Sequence, residues 1–168
     1  MEMTADDITI NKALEIIESG GAPMEGILKL KEIADREDNP NVRAIMLLGQ
    51  LSVQSGQMEK ARERYLKVLE LEPDHIEATW SFAMLNMQMG ALEDAVEGFS
   101  RCVERDETMT NGYFFMAQCQ EAMGLKEEAL STYKVYLPFA PDTAVSNSVK
   151  EFINRLEAEV TATSGPNS

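Results

Sequence analysis

Apolar and small residues recur at helical spacing between positions 42 and 75. One helical face runs through residues 42–55 and a second through residues 58–71. The first face contains Ile45, Leu48, Gly49 and Ser52, and the second contains Ala61, Tyr65, Val68 and Leu69. Gly56 lies between them, where a glycine can take the left-handed conformation that ends a helix, and Pro73 closes the second helix. The pattern predicts a helix–turn–helix hairpin.

The same hairpin returns twice at a step of 34 residues. The recurring types are glycine (Gly56, Gly90, Gly124), alanine (Ala61, Ala95, Ala129) and an aromatic residue (Tyr65, Phe99, Tyr133). Asp74, Thr108 and Asp142 also keep the step, and each can cap the helix that follows. A fixed period of this length is the signature of stacked repeats, because one hairpin cannot bury its apolar face alone.

This pattern resembles the tetratricopeptide repeat family, whose motif has Leu-Gly, Gly, Ala, an aromatic residue and Pro in this order. The first copy supplies Leu48-Gly49, Gly56, Ala61, Tyr65 and Pro73, and the second supplies Phe82-Ala83, Gly90, Ala95 and Phe99. The third supplies Met116-Ala117, Gly124, Ala129, Tyr133 and Pro141. Thr79 departs from the motif, because Ile45 and Tyr113 stand there in the other copies. The resemblance implies an all-α fold, a right-handed α-solenoid of stacked helix–turn–helix hairpins with a C-terminal capping helix.

We expect residues 1–160 to form a single repeat domain. Residues 4–40 read as a divergent first hairpin, with a capping pair at Thr4 and Asp7 and with Gly21 aligned to Gly56 at a step of 35. The clear repeats span 42–75, 76–109 and 110–143. Residues 142–160 form the capping helix, whose apolar face contains Val145, Val149, Phe152, Ile153 and Leu156. Residues 161–168 are expected to be a flexible tail.

The net charge of the chain limits the classes of partner that it is expected to bind. A net charge of −14 and a pI near 4.4 argue against binding to nucleic acid or to an anionic membrane, and favour a protein or peptide partner that is not acidic. The acidic surface is also explained by solubility alone. No apolar run has the roughly twenty residues of a membrane span, and the first residues do not form a signal peptide. We therefore expect a cytoplasmic protein, or a periplasmic or membrane-anchored one if a segment precedes Met1.

Few residues of the sequence are candidates for catalysis or metal binding. His75 is the only histidine and has no nucleophile near it in the sequence. Cys102 and Cys119 are predicted to be buried thiols; the alternative is a disulfide, if the two sulfur atoms meet. We predict no catalytic residue, no metal site and no cofactor, and hence no enzyme.

The resemblance also implies where a ligand binds, on the concave side formed by the first helix of each repeat. Carried onto this chain, the family's ligand-facing positions predict a partner-binding groove of twelve residues: Arg43, Met46, Gln50, Gln54, Glu77, Trp80, Met84, Gln88, Asn111, Phe114, Gln118 and Glu121. Four of them, which we call the apolar strip, are Met46, Trp80, Met84 and Phe114. In the alternative interpretation another part of the chain covers the strip, and Trp80 is a core residue.

These observations predict a non-catalytic adaptor or scaffold that binds a peptide or helical segment of a partner protein. A receptor for chaperone C-terminal tails is disfavoured, because the positions where that class has Lys and Asn hold Met46 and Gln50, Trp80 and Met84, and Phe114 and Gln118. Two alternatives stay open: a holding chaperone similar in build to three-repeat secretion chaperones, and a self-associating structural module. The chain is accordingly expected to be a monomer or a homodimer.

Overall fold

The computed structural model describes residues 2–163, and in that range the protein is all-α. Its helices are α1 (Ala5–Glu18), α2 (Pro23–Ala34), α3 (Val42–Gln54), α4 (Met58–Leu71), α5 (Ile76–Met89), α6 (Leu92–Arg105), α7 (Asn111–Ala122), α8 (Lys126–Tyr136) and α9 (Thr143–Thr163), with a 3-10 turn at Leu137–Phe139 between the last two. The predicted fold class is confirmed. The residues described include no helix long and apolar enough to cross a membrane.

Glycines end the first helix of each predicted repeat. Gly56, Gly90 and Gly124 have φ angles of 73°, 79° and 78°, the left-handed conformation that the sequence predicts. In the first hairpin the equivalent residue is Gly20, with φ of 71°, so the predicted alignment of Gly21 with Gly56 is wrong. The physical reason is a longer turn: four residues separate α1 from α2, whereas three separate α3 from α4.

Two of the helix caps predicted from the sequence are present in the structure. The Thr4 side chain accepts a hydrogen bond from the Asp7 backbone N–H, and the Asp7 carboxylate accepts one from the Thr4 N–H, which completes the predicted capping box. Asp142 caps α9, since its Oδ1 accepts from the Val145 N–H at 2.9 Å.

Two other predicted caps are corrected. At the start of α5 the Ala78 N–H donates to His75 Nδ1 at 3.1 Å, so His75, one residue after the predicted Asp74, caps this helix. Thr108 does not cap α7, because its hydroxyl donates to Asp106 Oδ1 at 2.6 Å and closes a local turn. Helix α5 begins at Ile76 and helix α7 at Asn111, so each begins more than one residue after the predicted cap.

The chain divides into two compact units between Ala78 and Thr79, inside α5. In the first unit α1 packs on α2, α2 on α3, and α3 on α4. Its core contains Ile10, Leu30, Ile33, Ile45, Tyr65 and Val68, each at most 3 % exposed. At the amino end of α1, Asp6 pairs with Arg36 at 3.0 Å and accepts a hydrogen bond from the Asn41 side chain, which ties α1 to the segment leading into α3.

The second unit contains the rest of α5 and helices α6–α9. Gly98 of α6 lies against Ala83 of α5, and α7 packs on α6, α8 on α7 and α9 on α8. Cys102 and Cys119 are fully buried and form no disulfide, so the predicted buried thiols are confirmed, and burial raises the pKa of both.

Helix α9 covers α8 with the predicted face. Val149, Ile153 and Leu156 are buried, and Phe152 stacks at a tilt on Tyr133 with the ring centres 5.4 Å apart. The helix continues to Thr163, so the first three residues of the predicted flexible tail are helical. The rest of that tail, 164–168, lies outside the described residues.

Candidate functional site

The predicted partner-binding residues fall on both units. Those from Arg43 to Glu77 belong to the first unit, on α3 and the first turn of α5. Those from Trp80 to Glu121 belong to the second unit, on α5 and α7. Each group is described within its own unit.

In the first unit, contacts within the chain already occupy three of the predicted residues. Arg43 Nη1 lies 3.4 Å from Asp7 Oδ1 of α1, and Gln50 Nε2 donates to Glu77 Oε1 at 3.3 Å. Met46 is only 4 % exposed, so it belongs to the core and does not line an open surface, a correction to the predicted strip. The helical spacing could not distinguish a groove position from one that other side chains cover. Gln54 is exposed.

In the second unit, aromatic side chains from five helices form a connected series, which we call the aromatic cluster: Trp80, Phe99, Phe114, Phe115, Tyr133, Tyr136 and Phe152. Successive ring centres are between 5.2 and 6.0 Å apart, within the range in which aromatic pairs attract. Phe99, Tyr133 and Tyr136 are buried. The other four are half-buried, so part of each ring faces outward.

Trp80 of the apolar strip is anchored in this cluster. It meets Phe99 edge to face at 5.2 Å and Phe115 at 5.8 Å. Gly112 lies beside the indole, where a Cβ atom would be in ordinary contact with Trp80 Cζ3 at 3.6 Å but would clash with Val103 Cγ1 at 2.5 Å. Trp80 is therefore both a packing residue of the second unit and a partly exposed one.

The other strip residues of the second unit are also half-buried. Met84 lies one turn after Trp80 and packs against the cluster of Ala83, Ala95, Phe99 and Cys119. Phe114 meets Tyr136 at 5.3 Å and Phe115 at 5.9 Å. Gln88 and Asn111, two further predicted groove residues, are exposed.

Gln118 and Glu121 lie beside α9. Arg155 of α9 pairs with Glu121 at 2.6 Å, and the Tyr133 hydroxyl donates to the same carboxylate at 3.4 Å. Burial raises the pKa of Tyr133 to about 12, with the negative charge of Glu121 adding to the effect. Together with Gln118 and Phe152 these side chains line an open pocket of about 370 Å³. Glu121 therefore holds the capping helix, a role that the sequence did not predict.

The described residues hold no group of three or more His, Cys, Asp or Glu side chains placed to bind a metal ion. The chain's one histidine, His75, uses its Nδ1 as a helix cap.

Sequence reasoning missed the extent of the aromatic cluster. The 34-residue step identified Phe99 and Tyr133 as equivalent core residues, and Phe114 as a groove residue, but each was interpreted within its own repeat. Phe115 was not singled out, although it joins Trp80 to Phe114. The adjacent aromatic pair at 114–115 was the available signal, since neighbouring residues of a helix point in different directions and can meet two sets of partners.

Comparison with known proteins identifies the class of fold. The chain has the all-α helical-repeat architecture of several solved structures of MamA. A structure of MamA AMB-1 aligns with a TM-score of 0.76 at 17 % identity, covering 93 % of this chain and 82 % of the other. MamA from Desulfovibrio magneticus RS-1, from residue 41 to its end, aligns with a TM-score of 0.73 at 15 % identity, covering 98 % and 100 %. At these identities the likeness establishes the fold alone.

One repeat of the chain is also matched in sequence. The family model described as tetratricopeptide repeat matches residues 42–75, the first clear copy of the 34-residue pattern. None of the curated proteins compared with the chain matches it in sequence. Residues 42–75 are therefore a tetratricopeptide repeat, and the predicted resemblance to that family is confirmed.

Proposed function

We propose that this protein is a non-catalytic adaptor or scaffold, and that the first helices of its repeats bind a peptide or helical segment of a partner protein. Stacked helical repeats present extended surfaces of this kind. Within the second unit the binding surface comprises Trp80, Met84 and Phe114, with Gln88 and Asn111 beside them.

The observation that carries the proposal is the half-buried state of the aromatic residues on α5 and α7. Trp80 and Phe114 are held by edge-to-face contacts to Phe115, so their positions are fixed before any partner arrives. A rigid, partly exposed aromatic side chain loses little conformational entropy on binding, which is why such residues dominate the energetics of interfaces. Met84 adds an adaptable apolar side chain on the same helix.

The polar neighbours favour a peptide ligand. Gln88 and Asn111 are exposed amides, and each can both donate to and accept from a peptide backbone. Arg43, Gln50, Glu77 and Glu121 have partners within the chain, so a ligand that used them would have to compete with those contacts. We therefore assign the first contacts to the second unit.

The test is photo-crosslinking in cells of the source organism. A photoreactive phenylalanine analogue replaces Gln88 in one variant and Asn111 in another, and the matched control carries it at Lys134, which is exposed on α8. We expect a discrete adduct of one partner protein from both test positions and none from the control.

A second variant, Trp80→Phe, keeps a ring against Phe99 but removes the outer part of the indole. We expect it to weaken the adduct while leaving the helical circular dichroism unchanged. An adduct with the mass of two chains would instead support the self-associating module. Equal adducts from all three positions, or none, would refute the proposed surface.

A further inference from the structure

A second surface lies in the first unit, where the described part of the chain forms a pocket of about 430 Å³ between α2, α3 and α4. Its apolar lining comes from Met24, Ile27, Leu28, Leu48 and Leu51. We call it the α2–α4 pocket. None of the twelve predicted partner-binding residues lines it.

The rim of this pocket exposes large apolar side chains. Met24 is 63 % exposed and Leu28 is 58 % exposed. They stand four residues apart on α2, so they project from one face of the helix over the same opening. A scattered exposed leucine needs no explanation, but two large apolar side chains at the mouth of an apolar pocket leave a continuous surface for a ligand.

Most of the charged residues that line the pocket are positive, whereas the whole chain is negative. The chain has a net charge of −14, yet Lys31, Lys60 and Arg64 line the pocket with Glu63 as the only carboxylate among the lining residues. Among the residues described, Lys31 and Lys60 form no ion pair, although the charge of Lys31 also helps to lower the pKa of Asp35. The pocket is thus a locally basic site on an acidic protein.

Two of the cations are held in place. Arg64 forms an ion pair with Asp35, which follows α2, and this contact lowers the pKa of the Asp35 carboxyl. Lys60 Nζ donates to the Gln57 side chain at 2.6 Å, near the first turn of α4. Lys31 is exposed on α2, one turn after Leu28 on the same face. Positive charge therefore flanks the apolar opening from both α2 and α4.

We propose that the α2–α4 pocket binds a short acidic amphipathic segment of a partner protein. One or two large apolar side chains of the segment enter the pocket beside Leu28 and Leu51, and its carboxylates pair with Lys31 and Lys60. This inference is independent of the function proposed for α5 and α7, because it uses a different unit and different residues. It departs from the expectation of a non-acidic partner, which was based on the net charge of the whole chain.

We assign a short segment to this pocket because the pocket lining is basic whereas the whole chain is acidic. An extended anionic surface, such as a membrane of acidic lipids, would bring the whole chain of −14 against it and be repelled. A segment of two or three turns approaches only the basic rim, and charges beyond about 10 Å are screened at ordinary salt. A volume of about 430 Å³ accommodates a few side chains and not a second folded domain.

The binding probe is a fluorescein-labelled helical peptide of repeated Leu and Glu pairs, beside a control peptide with Gln in place of Glu. Fluorescence polarisation measures both against the full chain. We expect the Glu peptide to bind, the Gln peptide to bind at least about tenfold more weakly, and added salt to weaken the first more than the second.

Two double variants with the same net charge test the location. Lys31→Glu with Lys60→Glu reverses the charge of the two lysines that line the pocket. Lys12→Glu with Lys150→Glu reverses two lysines that are exposed on α1 and α9. We expect the first variant to lose about tenfold in affinity for the Glu peptide, since two exposed attractions become two repulsions, and the second to stay within about twofold.

Methyl NMR of the wild-type chain gives a readout that needs no charge reversal. The Met24 methyl signal, assigned with Met24→Leu, should shift as the Glu peptide is added, while that of Met84 in the second unit should not. The proposal is overturned if Met24 does not respond, if the Gln peptide binds as tightly, or if both double variants lose affinity equally. Binding of phosphatidylserine vesicles in place of the peptide, through Lys31 and Lys60, would overturn it in favour of a lipid-headgroup site.

Discussion

Replacing Gly49 by alanine should destabilise the protein, although alanine is the better helix former. Gly49 lies within α3, and a Cβ atom there would stand 2.5 Å from Cε1 and 3.0 Å from Cδ1 of Tyr65 in α4. The ring is 3 % exposed, so it cannot swing into solvent to make room. Gly49→Ala therefore forces α3 and α4 apart or moves the ring from its place in the core.

The magnitude follows from two opposing effects. Overpacking a core by one methyl group costs about 1–3 kcal/mol. Glycine to alanine inside a helix gains about 1 kcal/mol. Taking about 2 kcal/mol for the steric cost, the variant should lose about 1 kcal/mol in free energy of unfolding, measured by urea denaturation at constant m-value.

A double-mutant cycle separates the two effects. Tyr65→Leu removes the ring atom that the new Cβ would meet, so in that background Gly49→Ala should become neutral or stabilise by up to about 1 kcal/mol. Gly56→Ala is the matched control, because its cost of about 1–2 kcal/mol comes from a φ of 73° with no atom near the added Cβ. That cost should be the same in both backgrounds. If Gly49→Ala has the same effect with and without the tyrosine ring, the close approach of α3 and α4 is not the reason for this glycine.

Four further measurements test other parts of the structure. His75→Ala should lose about 1 kcal/mol by removing the cap of α5, and His75→Asn should restore most of it; equal losses would place the cap elsewhere. In a spectrophotometric titration one tyrosine should ionise only near pH 12, because the Tyr133 phenol keeps its proton in the folded state. The chain should therefore lose stability as the pH rises from about 10 to about 12, and Tyr133→Phe should remove both effects. Cys102 and Cys119 should react with a thiol reagent only slowly until the chain unfolds, and fast reaction of either in the native state would contradict its burial. The prediction of a single domain requires that the fluorescence of Trp80 and the helical circular dichroism change together in urea; two separated transitions would mean that the two compact units unfold independently.

Much of the local structure could be predicted from the sequence, because it depends on near neighbours. Helix α4 begins at Met58 and ends at Leu71, as predicted, and the left-handed glycines follow the 34-residue step. The capping box at Thr4 and the cap at Asp142 involve residues three positions apart, so the pattern alone shows them. Even here a turn one residue longer shifted the left-handed position from Gly21 to Gly20.

The sequence by itself thus determined the repeat, its helices and the small residues that allow them to approach. It determined less of the site, because spacing assigns a residue to a helix face but not to an open or a covered one. Met46 and Trp80 occupy equivalent positions, yet Met46 is buried and Trp80 half-buried. Only the tertiary structure decided that Glu121 would bind Arg155, 34 residues away, and that Lys31 and Lys60 would flank one apolar pocket on an acidic chain. The physical reason is that contacts between distant helices depend on how side chains of particular size and charge pack, and this information is absent from the periodicity of any single repeat.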